Sequence, residues 1–205
     1  MQGGEGLVVS DLAVERNGRP LFAGLGFALG PGRALAVTGE NGVGKSSLLR
    51  ALAGLLPRAA GRVTLRHGPA DEAPLGERAH YLGHGNGLKA GLTAAENLGF
   101  RQRWYGGRGG ATPREALGVV GLAHCADLPV GLLSAGQTRG VALAGLLVAP
   151  RPLWLLDEPA TALDREAEGL LVGMLRRHLA AGGLAVMALH APLALPMATL
   201  RLGRA

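Results

Sequence analysis

Gly39-Glu40-Asn41-Gly42-Val43-Gly44-Lys45-Ser46 is the stretch on which the reading of this chain turns. It follows the apolar run Ala34-Leu35-Ala36-Val37 and opens the run Leu48-Leu49-Arg50-Ala51-Leu52. The order is strand, glycine loop, helix, and the spacing fits the phosphate-binding pattern G-x-x-x-x-G-K-[ST]. Glycines let successive backbone N–H groups turn inward around an anion. The helix N-terminus adds free donors and the positive end of a dipole. Gly39, Asn41, Gly42, Val43, Gly44, Lys45, Ser46 and Ser47 are therefore the candidate phosphate-binding residues. Lys45 is expected to reach the β- and γ-phosphates, and the Ser46 hydroxyl to ligate Mg²⁺. The chain has 35 glycines, so a chance match has to be weighed. Lysine is scarce, however: Lys45 and Lys89 are the only two, and one of them stands where the motif requires it.

Outward from the loop, residues 7–16 read as an edge strand, with Asn17-Gly18 as a turn and Leu21 to Leu29 as the returning strand. Pro31-Gly32 marks another turn, and 33–38 a short buried strand. After the loop, Leu48, Leu49, Leu52, Leu55 and Leu56 line one face of a helix that Pro57 stops. Residues 62–66 alternate as a strand, 67–79 read as a loop, and Ala79 to Gly83 as another strand. Thr93 to Gln102 predicts a helix, with Thr93 as N-cap and Glu96 at capping-box spacing. Gly106 to Gly110 is a break, and Pro113 to Val120 is helical. Residues 134–148 form a helix capped by Ser134. Leu153 to Leu156 is a buried strand, 165–181 an amphipathic helix ended by Gly182-Gly183, 184–189 a buried strand, and 199–202 an edge strand. Short apolar strands alternating with helices predict an α/β fold with a parallel sheet. The early strands add antiparallel β structure. The helices between 93 and 149, with no strand between them, predict an inserted subdomain. One domain is expected, with 1–84 and 150–205 as the α/β core and 85–149 as the helical part.

Composition narrows the classes. Hydrophobic residues make up 48% of the 205, but aromatics only 3%, so aliphatic side chains must fill the core. No signal-peptide layout opens the chain, and no apolar run approaches the ~20 residues of a spanning helix. A cytoplasmic chain is expected. The single cysteine, Cys125, excludes an internal disulfide and reads as a small core residue. The net charge of +6 is carried mostly by scattered arginines with no interleaved aromatics, so no nucleic-acid partner is expected.

Leu153-Trp154-Leu155-Leu156-Asp157-Glu158 is the second chemical stretch. An apolar strand ending in two acids puts carboxylates where ligands sit in α/β sheets. Asp157 is expected to hold Mg²⁺ and Glu158 to orient and deprotonate the attacking water. Taken alone, the same residues read equally as a strand closed by an acidic turn at Pro159. The third stretch is Leu133-Ser134-Ala135-Gly136-Gln137. Ser134 caps a helix, and Ala135 and Gly136 are small enough for backbone to approach phosphate oxygens.

The ordered set of phosphate loop, Leu-Ser-Ala-Gly-Gln and Asp-Glu strand resembles the ABC ATPases. That resemblance implies a RecA-like P-loop NTPase core with an antiparallel β subdomain and an inserted α-helical subdomain. It implies ATP and Mg²⁺ as ligands and a head-to-tail homodimer in which Ser134, Gly136 and Gln137 close over the other copy's ATP. Ala160-Thr161-Ala162-Leu163-Asp164 resembles the loop at the dimer seam, with Asp164 as its site residue. His190 resembles the switch histidine, so Lys45, Glu158 and His190 are the catalytic candidates. The family's usual Gln falls on His84, a further metal candidate. Its adenine-stacking aromatic falls near Arg16, whose guanidinium can stack on a base. Gly140 and Gly145 stand where the family commonly has arginines. The chain is similar, more narrowly, to the ATPase subunits of the cytochrome c biogenesis haem exporter. Arg19-Pro20-Leu21-Phe22-Ala23-Gly24-Leu25, Gly83-His84, Leu92-Thr93-Ala94-Ala95-Glu96-Asn97-Leu98, and His190 followed by Pro192-Leu193 carry that similarity. It implies integral membrane subunits as partners, with haem handled by them rather than by this chain. It also implies a peripheral position at the cytoplasmic face of the inner membrane, and a surface around 85–105 that receives a membrane partner's helix. An ATPase of another exporter, a non-transport ABC protein and a silent nucleotide-binding module are the alternatives.

Overall fold

A computed structural model describes residues 5–16, 18–67, 73–106 and 109–203. The expected Asn17-Gly18 turn, the 67–79 loop and the Gly106–Gly110 break each fall partly outside the described residues. Two compact units emerge. One comprises 1–81, 152–158 and 177–205, and the other 82–151 and 159–176.

The first unit carries two sheets. Strands β1 (Gly6–Arg16), β2 (Arg19–Leu29) and β4 (Ala60–Arg66) form an antiparallel sheet in the order β2-β1-β4. Residues 7–16 are thus the central strand, not the edge strand that the alternation suggested. Burial of Leu7, Val9, Leu12 and Val14 against exposed neighbours reports which face is covered. It says nothing about whether both edges are paired.

The second sheet runs β5 (Ala79–Leu82), β6 (Leu153–Asp157), β7 (Leu184–Ala188), β3 (Ala34–Thr38), β8 (Ala198–Arg201). β6, β7, β3 and β8 pair parallel to one another, and β8 stands at an edge. β6 and β7 are buried along their whole length, as parallel strands covered on both faces require. Asp157 is level with Ala188, and Ala188 with Val37. The C-terminal ends of three neighbouring strands therefore share one rim, which is where a doubly wound sheet binds ligands.

Helix α1 (Lys45–Leu52) is shorter than its leucines suggest. Ala53 caps it and Gly54 turns left-handed at φ 74°. The N–H groups of Leu55 and Leu56 then both donate back to the Arg50 carbonyl, at 2.8 and 3.2 Å. This αL termination leaves Leu55 62% exposed, off the apolar face assigned to it. Pro57 follows the stop and does not cause it.

The second unit contains α2 (Ala94–Trp104), α3 (Pro113–Val119), α4 (Ala135–Ala144) and the first turns of α5 (Arg165–Ala180). Thr93, Thr112 and Ser134 each close a capping box with the residue three on. α4 ends at Ala144 and does not run to 148. Leu146 and Leu147 bond three residues back, to the Leu143 and Ala144 carbonyls, so the chain tightens out of α geometry. Among the described residues, no helix is long and apolar enough to cross a membrane.

Candidate functional site

The phosphate loop owes its path to backbone that only glycine adopts easily. Gly39 sits at φ 141°, and a Cβ there would lie 2.6 Å from the Leu202 carbonyl oxygen. Gly44 caps α1 at φ 109°, so the loop turns directly into the helix. Lys45 is 7% exposed, and its Nζ donates to the carbonyls of Gly39 at 2.8 Å and Glu40 at 3.0 Å. An ammonium has three donors, so the two loop carbonyls leave one for an anion.

Arg16, Leu21, Asn41, Gly42, Gly44, Lys45, Ser46, Ser47, Glu158 and His190 line a cleft of about 340 Å³ in the first unit. Gly39 and Val43 shape the loop behind this lining. Asp157 is 3% exposed at the end of β6, one residue before Glu158. Glu158 adopts φ 49°, a strained value for a non-glycine residue, and its N–H donates to the Ala188 carbonyl at 3.0 Å. That turn brings its carboxylate to His190, whose Nε2 lies 2.6 Å from Glu158 Oε1. Thirty-two residues separate the two in sequence, and no local pattern announces the pairing.

Ser46 and Asp157 supply a hydroxyl and a buried carboxylate. Among the described residues, no group of three or more His, Cys, Asp or Glu side chains forms a metal cage. A short oxygen donor set of this kind suits Mg²⁺, which keeps most of its waters and takes phosphate oxygens. The residues present thus fit a magnesium nucleotide.

The remaining candidates lie in the second unit. Ser134, Gly136, Gln137 and Asp164 line a separate cleft of about 430 Å³ with Leu122, Gly140, Leu163 and Leu170 among its walls. Ser134 Oγ accepts the Gln137 N–H at 3.1 Å, and Gln137 Oε1 accepts the Ser134 N–H at 2.9 Å. Asp164 Oδ1 accepts the Ala167 N–H at 2.8 Å and so caps α5. Gly136 has no room for a side chain, since a Cβ would meet the Ala162 carbonyl oxygen at 2.8 Å. His84 is exposed and lines neither cleft. Cys125 is buried, as a core residue should be.

Gly140 and Gly145 also gain a reason. A Cβ at 140 would meet Leu122 Cδ1 at 2.7 Å, and one at 145 would meet Arg101 Nη1 at 2.5 Å. Leu122 and Arg101 fill the space that side chains at those positions would need. A residue missed in the sequence is Arg139, buried on α4. Two residues past Gln137, it had no spacing signal to single it out.

Residues 22–161 match the family described as ABC transporter. The "Cytochrome c biogenesis ATP-binding export protein CcmA" of Mesorhizobium japonicum is 49% identical over 197 residues, covering 96% of this chain and 98% of that one. The protein of the same name in Rhizobium meliloti is 50% identical over 190 residues, covering 91% and 92%. A solved structure, the "Putative ABC transporter (ATP-binding protein)" from Pyrococcus furiosus, superposes with a TM-score of 0.82 at 20% identity, covering 97% and 98%, and so shares the fold. With phosphate loop, acid pair and helix-capping signature in that family's order, the chain belongs to the ABC transporter family as an ATP-binding subunit of the CcmA type.

Proposed function

We propose that this chain hydrolyses ATP as a homodimer at the cytoplasmic face of the inner membrane, and that it drives an export complex of cytochrome c biogenesis whose integral membrane subunits handle haem. The observation that carries the reading is the single cleft into which Lys45, Ser46, Glu158 and His190 all face.

The free N–H of Lys45 would meet the β- and γ-phosphate oxygens, with loop N–H groups from Gly42 to Ser47 around them. Arg16, on the wall of the same cleft, would stack on the base. Ser46 and Asp157 would hold Mg²⁺, which when bound neutralises charge on the phosphates. Glu158 would orient the attacking water and accept its proton. His190, held against Glu158, would keep that carboxylate aimed and meet the γ-phosphate side of the water.

Ser134, Gly136, Gln137 and Asp164, which line a cleft within the second unit, would serve the partner copy's nucleotide. A docking face for a membrane subunit is supported by Phe100 and Trp104 on α2. These rings are 53% and 75% exposed and stack with centroids 6.0 Å apart.

The test is Glu158→Gln in the assembled complex. Turnover should fall by at least about a hundredfold, the lower end of the range for a lost general base. ATP should still bind, and dimers should accumulate. Unchanged turnover would remove Glu158 from the chemistry and overturn the reading.

A further inference from the structure

Arg139 is 4% exposed in the second unit, and its donors reach two separate segments. Nε donates to the Pro159 carbonyl at 3.2 Å. Nη1 donates to the Gly83 carbonyl at 2.9 Å and to Asn86 Oδ1 at 3.0 Å. Gly83 and Asn86 bracket His84. Pro159, which follows Glu158 in the chain, opens the turn that carries Ala162 at φ 67° and ends at Asp164. Arg139 itself stands on the helix that Ser134 caps. One guanidinium therefore ties the His84 turn and the 159–164 loop to the signature helix.

Burying a guanidinium is costly, and an aliphatic side chain would fill such a space without that cost. What the planar fork adds is direction: its donors leave at fixed angles, so two carbonyls bound to it are held in a fixed relation. No nucleotide contact is needed for this effect. We propose that Arg139 is a positioning residue that sets His84 and the 159–164 loop against the signature helix, raising kcat for ATP hydrolysis in the closed dimer. The inference rests on the ATPase function proposed above.

Arg139→Lys in the assembled complex tests it, because lysine keeps the charge but loses the fork. The expected result is a fall in kcat of about tenfold or more, as small misplacements of reacting groups produce. KM for Mg-ATP should stay within about twofold, since a positioning role leaves substrate binding alone. The melting temperature should stay within about 4 °C. Wild-type kcat would overturn the proposal, and so would a parallel loss of kcat and melting temperature, which marks a merely structural role. Asn86→Ala leaves Arg139 in place and removes one acceptor, so it answers even where Arg139→Lys fails to assemble. It should lower kcat by about threefold at unchanged KM, in keeping with one lost hydrogen bond, and a wild-type kcat there would equally overturn the proposal. Glu158→Gln, run alongside, separates the two readings. If it stops turnover while Arg139→Lys and Asn86→Ala do not, only the role of Arg139 fails. If Glu158→Gln itself turns over normally, the ATPase reading fails with it.

Discussion

The cleft at the phosphate loop and the cleft at the signature differ less in size than in how their polar groups are used. At the loop, groups from the ends of β3, β6 and β7 converge: Lys45 with one uncommitted donor, Ser46, and the Glu158–His190 pair. At the signature, Ser134 and Gln137 spend their side chains on each other, and Asp164 spends an oxygen capping α5. What remains there is the Ser134 hydroxyl proton and the first-turn N–H groups of α4, Ala135 and Gly136 among them. The first cleft carries the charge to hold a triphosphate. The second offers a few neutral donors, enough to close over an anion already held elsewhere. In the proposed function the first cleft is a binding site and the second is half of one, which is why that function requires two copies.

That contrast breaks most sharply in mixed dimers. Lys45→Ala should cost about 10²–10³-fold in turnover through lost phosphate binding, and Ser134→Arg about as much with ATP binding retained. In a two-fold dimer of one chain of each kind, both lesions fall in one composite pocket and leave the other intact. An equal mixture of the two dead proteins should therefore regain about a quarter of wild-type sites, half the dimers being mixed and each having one good pocket. Absence of any recovery would mean that Ser134 serves its own chain's nucleotide.

A smaller effect is expected at His190, which belongs wholly to the first cleft. His190→Gln keeps a donor for Glu158 but not the ring's second nitrogen, and kcat should fall about tenfold to a hundredfold. Single-turnover assays should place the loss in the chemical step, with ATP affinity unchanged. A loss of affinity instead would move His190 into ground-state binding.

The smallest effect distinguishes the units by acid sensitivity. His178, in the first unit, stacks on Trp154 with ring centroids 4.0 Å apart, and its Nε2 lies 3.0 Å from the Leu184 carbonyl. Burial lowers its pKa from the model-compound 6.5 to about 4. Between those values the unfolded chain binds the proton that the folded chain does not, so stability rises with pH. Falling from pH 6.5 to 4 should cost the first unit up to ~3 kcal/mol. Trp154 reports on the first unit and Trp104 on the second, and these are the chain's two tryptophans. Trp154 emission should respond to acid before Trp104 emission does. His178→Phe should flatten the pH slope, and a slope unchanged in that variant would remove His178 as its source.

Much of both clefts was legible in the residues, because phosphate loop, acid pair and signature are short and their chemistry demands fixed spacing. The capping box at Ser134-Ala135-Gly136-Gln137 could be read without knowing any distant contact. Reading failed where an answer depended on what lies across space. The alternation of 7–16 reported a buried face, and only pairing with both β2 and β4 made the strand central. The leucines after the loop kept helical spacing past Leu52, but Gly54 had already turned the backbone. Gly140 and Gly145 looked like missing arginines until Leu122 and Arg101 were found in their space.

By itself, then, the sequence determined the local chemistry: a glycine loop with its lysine, two acids at a strand end, and a small-residue helix start. These depend on backbone conformation and neighbours within a few residues. Tertiary structure alone decided that His190 meets Glu158, that Arg139 is sequestered between two distant segments, and that Ser134 and Asp164 line one cleft of the second unit. Such facts follow from sheet order and strand register, which sum contacts across the whole chain and leave no mark on any one stretch of it.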